Sequence, residues 1–590
     1  MYSLGVTSPA VANNAATLVG DGELLAAAEE ERFTRNKHAR FTPPVNAVTY
    51  CLERAGIGLE DIDHLAVGWG VAPEAPLTSD LHGPLHRAHR TLMPEFLSTL
   101  ADRDPGITDR VTYVNHQRAH AASAYRVSGF DEANVITLDG NGERYAGLLG
   151  YADGDIQAFE HVSISQSLGH LYEEATEYLG FRRHRDEGKV MGLASYGQPT
   201  FDIPNARSSR QMLNLIQRMG LAKVPLDFET LASVYDGLRP VRRLSVAGKY
   251  PKTPLATGAI NAVLPTEINR SLSERLFDDP FYNGAGEALT ETHKNLAASV
   301  QRRVEREVLG LVEDLAKRTG CGKFCFAGGV ALNCVLNKKI RASEYVDELF
   351  IQPAAHDAGT ALGAALEVSY EHGERPTTVM EDVYWGPEYE DEVIERALET
   401  RGLAYERPSD PVGAAVSALA DDQVVGWFQG RMEFGPRALG NRSILANPSR
   451  EAMKDTVNAK VKRRELWRPF APSLPAENVE RLFEDAGPSP FMILSFDVEE
   501  EATGEIPAAC HVDATARPQT VTPDTNERYY DLLTRFEAET GIPAVLNTSY
   551  NLAGDPINRD PGTAIDTFLS CGMDVLCLGD YVVRKESIDR

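Results

Sequence analysis

Two histidines, His116 and His120, stand four residues apart in the alanine-rich run VNHQRAHAASA at 114–124. On a helix, this spacing places both imidazoles on one face, close enough to hold a single metal ion. The pair is weak evidence by itself, because histidines at this spacing are more often exposed or hydrogen-bonded within a core. Both interpretations, metal ligands or two polar residues on a helical face, stay open until other residues are considered.

Two aspartates extend this set. Asp139 ends the apolar run VITLDG, and Asp357 lies in AHDAG between a predicted strand and a predicted helix. Functional groups of α/β folds often lie at such strand ends. Two imidazoles and two carboxylates suit iron(II), manganese or zinc, with coordination positions left open for a substrate oxygen. The alternative is that Asp139 is a turn residue and Asp357 a helix cap.

Two glycine-rich loops, DGNGE at 139–143 and AGGVALN at 327–333, each follow an apolar run. Glycine allows the backbone to approach a phosphate or an adenosine closely. Neither loop is a Walker motif, because no G-K-[ST] follows, and neither is G-x-G-x-x-G. Each loop is equally compatible with a tight turn.

A third group lies in the C-terminal part, in GRMEFGPRALGNRS at 430–443, KVKRRELWRPFAPS at 460–473, ARPQT at 516–520 and LNTSYN at 546–551. The arginine fork suits phosphate oxygens, and the Asn547 and Ser549 side chains can orient a small polar group. A solvated basic face is the alternative, but it explains poorly why these arginines alternate with glycine, proline, Trp467 and Phe470. The charged members of the group are Arg437, Lys462, Arg468 and Arg517.

Composition limits the partners of this chain of 590 residues. Its net charge of -27 argues against nucleic acid or an anionic membrane as the main partner, and it makes each local basic cluster more informative. No apolar run reaches transmembrane length, and the N-terminus lacks the charged head of a signal peptide. The seven cysteines are scattered and form no C-x-x-C pair. These features predict a reduced, cytoplasmic protein.

The elements that must position these residues form an α/β pattern with more than one core, since single cores stop growing near about 250–300 residues. Strands predicted at 2–6 and 15–20 lead through Asp21-Gly22 into a further apolar run, which is a hairpin signal. A similar arrangement recurs at 135–140 and 145–154, so we expect a duplicated α/β fold. Apolar residues at helical spacing predict a helix over 293–317.

Domain organisation follows from changes in pattern along the chain. Residues 198–290 are irregular, contain proline and are partly basic, which favours an insertion or a lid. The pattern loosens around 372–384, and we place the domain boundary there. The predicted domains are 1–375 and 376–590.

The chain resembles the NodU/CmcH family of O-carbamoyltransferases. The motifs that carry the resemblance occur in order along nearly the whole chain: EEERFTRNKH, NHQRAHAASA, LDGNGE, EGKVMGLASYG, FAGGVALNC, GPRALGNRS, WRPFAPS and LNTSYN. The resemblance implies an N-terminal domain with the duplicated actin-like ATPase fold of the sugar kinase and heat-shock type. It implies a YrdC-like α/β domain at the C-terminus.

The resemblance also implies an activity. In the second domain, carbamoyl phosphate and ATP would form carbamoyl-adenylate, and the first domain would pass the carbamoyl group to a hydroxyl of a small molecule, an antibiotic or another secondary metabolite. The implied cofactors are iron(II), or another divalent metal, and Mg²⁺ with ATP. The expected partners are ATP, carbamoyl phosphate and the hydroxylated acceptor, and the chain is compatible with a homodimer.

Site residues carry over from the family motif by motif. The implied metal ligands are His116, His120, Asp139 and Asp357. The implied contacts to carbamoyl phosphate and ATP are Arg437, Lys462, Arg468, Arg517, Asn547 and Ser549, of which Arg437, Lys462 and Arg468 are also expected to be catalytic. The implied lining of the adenylate pocket is Gly142, Gly328, Gly329 and Asn333.

One departure concerns the first hairpin. Family members usually read H-D-x-S-A-A-L there, whereas this chain reads ANNAATL, with Ala12 in place of the histidine and Asn13 in place of the aspartate. His38 is the candidate general base, by its proximity in the motif alone. Two rival functions remain: a small-molecule kinase of the actin-like fold, and a nucleotide-dependent binding protein.

Overall fold

The computed structural model describes residues 1–75, 84–203 and 289–588. Contacts divide the chain into two units, one formed by Met1–Gly169 with Glu305–Arg590 and the other by His170–Val304. Most of the predicted insertion or lid at 198–290 lies outside the described residues. Among the described helices, none is both long and apolar enough to cross a membrane.

The first sheet has five strands in the order β3-β2-β1-β4-β5. Strands β1, β2 and β3 form an antiparallel meander, and β4 and β5 run parallel to β1. Asp21 and Gly22 both have positive φ, 51° and 81°, as the two-residue turn between β2 and β3 requires, so the predicted hairpin is confirmed. The strands are β1 Tyr2–Val6, β2 Ala15–Gly20, β3 Glu23–Glu29, β4 His64–Val67 and β5 Val111–Tyr113.

The second sheet repeats this arrangement, in the order β10-β9-β6-β7-β8. Its first three strands again form an antiparallel meander, and β9 and β10 extend it in parallel from β6. The predicted duplication is therefore confirmed, and it is the arrangement of the actin-like ATPase fold. The strands are β6 Ala133–Leu138, β7 Tyr145–Asp153, β8 Asp155–Ser163, β9 Lys323–Ala327 and β10 Glu348–Ile351.

The third sheet has seven strands in the order β16-β13-β17-β12-β11-β18-β19, and β14 pairs with β15 separately. The strands are β11 Val425–Phe428, β12 Arg442–Ala446, β13 Ala471–Pro475, β14 Phe496–Asp497, β15 Thr515–Ala516, β16 Gln519–Val521, β17 Val545–Ser549, β18 Val575–Leu578 and β19 Tyr581–Arg584. Within the described ranges, no strand after residue 376 pairs with a strand before it. The domain boundary near residue 376 itself stays a prediction.

The α-helices of the described chain complete the α/β pattern. They are α1 Glu31–Thr34, α2 Val45–Ala55, α3 Pro84–Ala101, α4 His116–Tyr125, α5 Leu168–Tyr178, α6 Glu187–Ala194, α7 Glu291–Thr319, α8 Cys334–Arg341, α9 Ala358–Glu371, α10 Asp391–Thr400, α11 Pro411–Ala420, α12 Glu451–Thr456, α13 Val479–Leu482, α14 Pro523–Thr540 and α15 Pro561–Ser570. Helix α7 confirms the predicted helix over 293–317. Its buried stripe passes through Val308 and Val312, and Leu311 between them is only partly buried.

Helices α4 and α9 touch backbone to backbone. A Cβ added at Gly363 of α9 would lie 1.7 Å from the carbonyl oxygen of Ala119 on α4, so this position requires glycine. The fully buried carboxylate of Glu367 accepts hydrogen bonds from Nε of Arg118 at 2.6 Å and Nε of Arg126 at 2.7 Å. The ion triad and the close approach fix the relative position of two helices that carry or follow predicted metal ligands.

Candidate functional site

The four predicted metal ligands come together, although they derive from three separate parts of the chain. One ligand atom from each of His116, His120, Asp139 and Asp357 lies within 4.8 Å of all the others, and we call this group the metal cluster. Nε2 of His116 lies 3.4 Å from Oδ2 of Asp139 and 3.6 Å from Oδ1 of Asp357. Nε2 of His120 lies 3.9 and 3.8 Å from the same two oxygens.

The surroundings of the two imidazoles suit a bound cation. Both histidines are fully buried. Nδ1 of His116 lies 3.1 Å from the carbonyl oxygen of Gly68, a contact that fixes the proton on Nδ1 and directs the lone pair of Nε2 to the carboxylates. Neither ring nitrogen of His120 has a hydrogen-bond partner in the described chain. Since a buried imidazole without a partner is costly, the donor set fits a divalent metal.

The charges of the metal cluster are tightly coupled. Burial alone would lower the pKa of His116, but the carboxylates of Asp139 and Asp357 outweigh burial and raise that pKa well above its ordinary value. Burial alone would raise the pKa of Asp357, but His116 and His120 outweigh it and hold that pKa well below its ordinary value. The cluster therefore favours ionised carboxylates with positive charge between them, a charge that a cation can supply in place of a proton.

The alternative of a helix cap does not describe Asp357. It occupies the N-cap position of α9, but its side chain accepts no capping hydrogen bond, because the carboxylate faces the two histidines instead. The interpretation of Asp139 as a turn residue does not account for its side chain, whose Oδ1 accepts a hydrogen bond from the N–H of Gly329 at 3.2 Å. Both aspartates therefore direct their carboxylates into the metal cluster.

The two glycine-rich loops lie against the metal cluster. A Cβ at Gly142 would lie 2.9 Å from Cδ2 of His116, and a Cβ at Gly328, which has φ of 87°, would lie 2.3 Å from the carbonyl oxygen of Leu138. Oδ1 of Asn333 caps α8 by accepting from the N–H of Leu336 at 3.0 Å. Close packing near the metal cluster therefore requires glycine at Gly142 and Gly328. The adenylate-binding role of these loops stays a prediction.

Three of the predicted arginines form a second group, which we call the arginine cluster: Arg437, Arg468 and Arg517. Burial, followed by the positive charges of Arg517 and Arg468, lowers the pKa of Arg437 to about 9. Among the described residues, neither Arg437 nor Arg517 pairs with a carboxylate, and Nε of Arg437 has no hydrogen-bond partner. Concentrated positive charge without counter-charge is the electrostatic signature of an anion site.

Lys462 is predicted to contact substrate, and the structure places it beside the strand that carries Ser549. It ends a π-helical turn, Val457–Lys462, and its Nζ lies 2.8 Å from the carbonyl oxygen of Ser549 and 2.7 Å from Oδ1 of Asn551. Burial lowers the pKa of Lys462 well below its ordinary value, and Arg464 and Arg468 lower it further. Because Lys462 donates hydrogen bonds to these acceptors, it holds the C-terminal end of β17 in place.

Asn547 and Ser549 both lie on β17. The amide nitrogen of Asn547 lies 3.0 Å from Oγ of Ser473 and 3.3 Å from the carbonyl oxygen of Ala438, the residue after Arg437. Its Oδ1 is buried and has no hydrogen-bond partner in the described chain. The hydroxyl of Ser549 donates to Oδ1 of Asn551 at 2.7 Å. These bonds join β17 to the loop of the arginine cluster, while their roles toward substrate stay predictions.

His38, the predicted general base, contacts the residue that departs from the family pattern. Its Nδ1 lies 2.8 Å from Oδ1 of Asn13, and its backbone N–H donates to the carboxylate of Glu31. Asn13 and His38 both have positive φ, 57° and 66°, a backbone conformation that costs free energy in residues other than glycine. The asparagine that stands in place of the family aspartate therefore contacts the imidazole of His38.

Glu143 is a site residue that sequence reasoning missed. Its Oε1 accepts hydrogen bonds from Nδ2 of Asn115 at 2.6 Å and from the N–H of His116 at 3.1 Å. Because Asn115 is the N-cap of α4, this carboxylate holds the start of the helix that carries both histidines. Its position as the last residue of the glycine-rich loop DGNGE was the available signal.

Glu433 is the second missed residue, and it organises the loop of the arginine cluster. Its Oε1 accepts hydrogen bonds from the backbone N–H groups of Leu439 at 2.8 Å, Asn441 at 2.9 Å and Arg442 at 3.1 Å. The loop that contains Arg437 therefore folds around one buried carboxylate. A single acidic residue within GRMEFGPRALGNRS was the only signal in the sequence.

Comparisons with known protein families identify the family of this chain. The family model described as carbamoyltransferase N-terminus matches residues 3–71 and 90–366, and the model described as carbamoyltransferase C-terminus matches residues 416–585. The chain therefore belongs to the carbamoyltransferase family of enzymes, which confirms the resemblance seen in its motifs.

Relatives cover nearly the whole chain. The nodulation protein NolNO of Sinorhizobium fredii is 37% identical over 600 residues, which cover 99% of this chain and 81% of that protein. The nodulation protein NolO of Bradyrhizobium diazoefficiens is 38% identical over 481 residues, covering 80% of this chain and 79% of that one. Full-length HypF in its phosphate- and nucleotide-bound form overlaps 64% of this chain and 56% of its own, at 13% identity and a TM-score of 0.31. At that score, the fold assignment rests on the strand order of the chain itself.

Proposed function

We propose that this carbamoyltransferase is ATP-dependent, and that it moves the carbamoyl group of carbamoyl phosphate, through carbamoyl-adenylate, to a hydroxyl of a small molecule. The observation that carries the proposal is the arginine cluster, in which Arg437 lies within electrostatic reach of Arg517 and Arg468 and Nε of Arg437 has no hydrogen-bond partner among the described residues. A site of this kind needs an anion, and both carbamoyl phosphate and ATP supply phosphate oxygens. A kinase of the actin-like fold would leave this cluster without a substrate.

The first half-reaction belongs to the arginine cluster. Water removes phosphate from carbamoyl phosphate and leaves carbamate, and a carbamate oxygen then attacks the α-phosphorus of ATP and displaces pyrophosphate. Negative charge develops on the phosphate oxygens, and Arg437, Arg468 and Arg517 would stabilise it through charge-assisted hydrogen bonds. Lys462 would keep Ser549 in place beside them.

The second half-reaction belongs to the N-terminal part. The acceptor hydroxyl oxygen attacks the carbamoyl carbon, AMP leaves, and the hydroxyl proton passes to a base, for which His38 is the proposed residue. The metal cluster would hold a divalent cation, which the resemblance implies is iron(II), although its mixed imidazole and carboxylate donors also suit manganese or zinc. The cation would supply Lewis acidity and orientation for phosphate or carbonyl oxygens. Glu143 and Gly68 would keep His116 in its ligand orientation.

The glycine-rich loops would give the adenylate a close backbone approach beside the metal cluster. Gly142, Gly328 and Gly329 leave no room for a side chain where they pack. Keeping both half-reactions within one chain would protect the mixed anhydride from water.

The deciding experiment incubates the protein with ATP, Mg²⁺ and carbamoyl phosphate, with each component omitted in turn. Release of pyrophosphate that requires carbamoyl phosphate is the expected result. Release of ADP with phosphorylation of a small-molecule acceptor would indicate the kinase instead. Binding of nucleotide without turnover would indicate a binding protein.

The acceptor is then found by screening hydroxylated antibiotics, macrolides and sugars. Each reaction is read by mass spectrometry for the mass of one added carbamoyl group. The matched control is Arg437→Ala, which should produce no carbamoylated compound because the first half-reaction fails.

A further inference from the structure

The motif EEERFTRNKH at 29–38 has a role in the proposed function only through its last residue. Three of its charged residues, Glu29, Glu31 and Arg32, are each only 2% exposed. Burying three charges is expensive unless they are paired and hydrogen-bonded. Such a group needs a reason for its burial, and the contacts of Arg32 indicate one.

Arg32 reaches from the N-terminal part to the loop of the arginine cluster. Its Nη2 donates to the carbonyl oxygen of Gly435 at 2.7 Å, and the same nitrogen donates to Glu29. Oε2 of Glu29 in turn accepts from the N–H of Gly435 at 3.3 Å. The ion pair of Glu29 and Arg32 thus hydrogen-bonds both the N–H and the carbonyl oxygen of Gly435, two residues before Arg437.

The same ion pair also reaches the loop that leads to Asp357. Oε1 of Glu29 lies 3.5 Å from Nε2 of His356, the residue before Asp357. Gly435 has φ of 115°, and a Cβ there would lie 3.4 Å from the carbonyl oxygen of Pro353. The loop that leads to Arg437 therefore packs on the loop that leads to Asp357, with Glu29 in contact with both.

A third contact braces Arg32 itself. Its Nη1 donates to Oε1 of Glu31 at 2.6 Å, so the two sides of the guanidinium fork are held by two carboxylates. The two carboxylates therefore fix the plane of the guanidinium group that donates to Gly435. A lysine cannot reproduce this arrangement, because an ammonium group is a point charge without a planar fork.

We infer that Glu29 and Arg32 are positioning residues that set two loops at once, the loop carrying Arg437 toward carbamoyl phosphate and the loop carrying Asp357 toward the metal. The assignment of ligands to the two loops rests on the proposed function. Outer contacts of this kind orient the groups that bind, and their loss commonly weakens binding by about 10–100-fold.

The test uses Arg32→Lys and Glu29→Gln in the full-length chain. Arg32→Lys keeps the positive charge and removes the planar guanidinium fork. Glu29→Gln keeps the size of the side chain and removes its negative charge. One readout is the dissociation constant for Mn²⁺, measured by competition with a chromogenic chelator. The other is the KM for carbamoyl phosphate in pyrophosphate release, compared with kcat at saturation.

Both variants should weaken Mn²⁺ binding and raise the KM for carbamoyl phosphate, each by about tenfold or more. The kcat at saturating carbamoyl phosphate and metal should fall much less, because saturation restores the ligand positions. The matched control is Leu533→Ala, a fully buried core residue in the cluster around α11 and α14, chosen to lower the melting temperature without touching either loop.

A loss of thermal stability equal to that of the control, with both constants unchanged, would overturn the inference, as would a change in only one constant. If the native protein releases no pyrophosphate with carbamoyl phosphate, the proposed function fails, and unchanged Mn²⁺ binding in the variants would still overturn the inference separately. Should Arg32→Lys fail to fold, Glu29→Gln decides both readouts.

Discussion

Nε2 of His120 lies 3.8 Å from Oδ1 of Asp357, although His120 is in α4 and Asp357 directly precedes α9. The two helices approach so closely at Ala119 and Gly363 that no side chain fits between their backbones. The separation of this imidazole and carboxylate is therefore fixed by helix packing. A separation fixed in this way would pre-organise the two side chains for a metal ion.

Replacing His120 by alanine should lower the amount of bound metal while leaving the fold intact. The imidazole is fully buried and its ring nitrogens make no hydrogen bond to other described residues, so its removal takes away a ligand and no structural bond. Metal content per chain, measured by elemental analysis, and carbamoyl transfer should both fall sharply. His372→Ala is the matched control, since this exposed histidine lies outside the metal cluster. Full metal occupancy in His120→Ala would show that the ligand assignment is wrong.

Arg468→Ala should remove most pyrophosphate release that depends on carbamoyl phosphate. Losing one charge-assisted contact to phosphate costs about 1.5–3 kcal/mol, which corresponds to a rate loss of about 10–150-fold. The control is Arg450→Ala, which removes an arginine that is 72% exposed and pairs with Asp422 at the surface. If the two variants release pyrophosphate at the same rate, the first half-reaction takes place elsewhere.

Glu31 should make stability depend on pH. Burial alone would raise its pKa, but Arg32 and Lys37 outweigh burial and lower the pKa of Glu31 to about 2. Because the folded value lies below the ordinary value, the stabilisation is fully present above about pH 5 and is lost as the pH falls toward 2. The linkage relation puts it on the order of 3 kcal/mol.

The measurement is thermal unfolding of the native chain and Glu31→Gln from pH 7 downward. The gap between the two melting temperatures should be large at pH 7 and should narrow steadily below about pH 5. Glu313→Gln is the control, since the contacts of Glu313 with Lys317 and the Tyr345 hydroxyl lie at the surface and should give only a small gap in melting temperature throughout. A gap for Glu31→Gln that stays constant with pH would contradict the assigned shift.

Ala12→His should leave the rate of carbamoyl transfer nearly unchanged. Asn13 departs from the family pattern together with Ala12, and its side chain contacts His38 at 2.8 Å, which favours a remodelled pocket over a damaged one. His38→Asn should slow transfer by about 10²–10⁴-fold, the usual contribution of a general base. Single-turnover transfer with the identified acceptor measures both variants. A large gain from Ala12→His would instead show that the missing histidine is the required base.

The sequence predicted those features that depend on local pattern. Alternating and apolar runs closed by Asp21-Gly22 predicted the first hairpin, and their recurrence predicted the second sheet. The i and i+4 spacing of His116 and His120 placed both on α4. Local spacing can do this because helix and strand periods fix the direction of each side chain.

Other features were decided by tertiary contacts alone. Glu143 has an ordinary sequence context, and its importance comes from the Asn115 amide and the backbone N–H of His116, which folding brings to its carboxylate. The pairing of Arg32 with the carbonyl of Gly435 joins residues about four hundred positions apart, which no local pattern encodes. The residue types and spacing of this chain thus predicted which groups would bind metal and phosphate. The distances, charges and supports of those groups depend on long-range packing, since only the folded chain brings distant carboxylates, carbonyls and guanidinium groups within hydrogen-bonding distance.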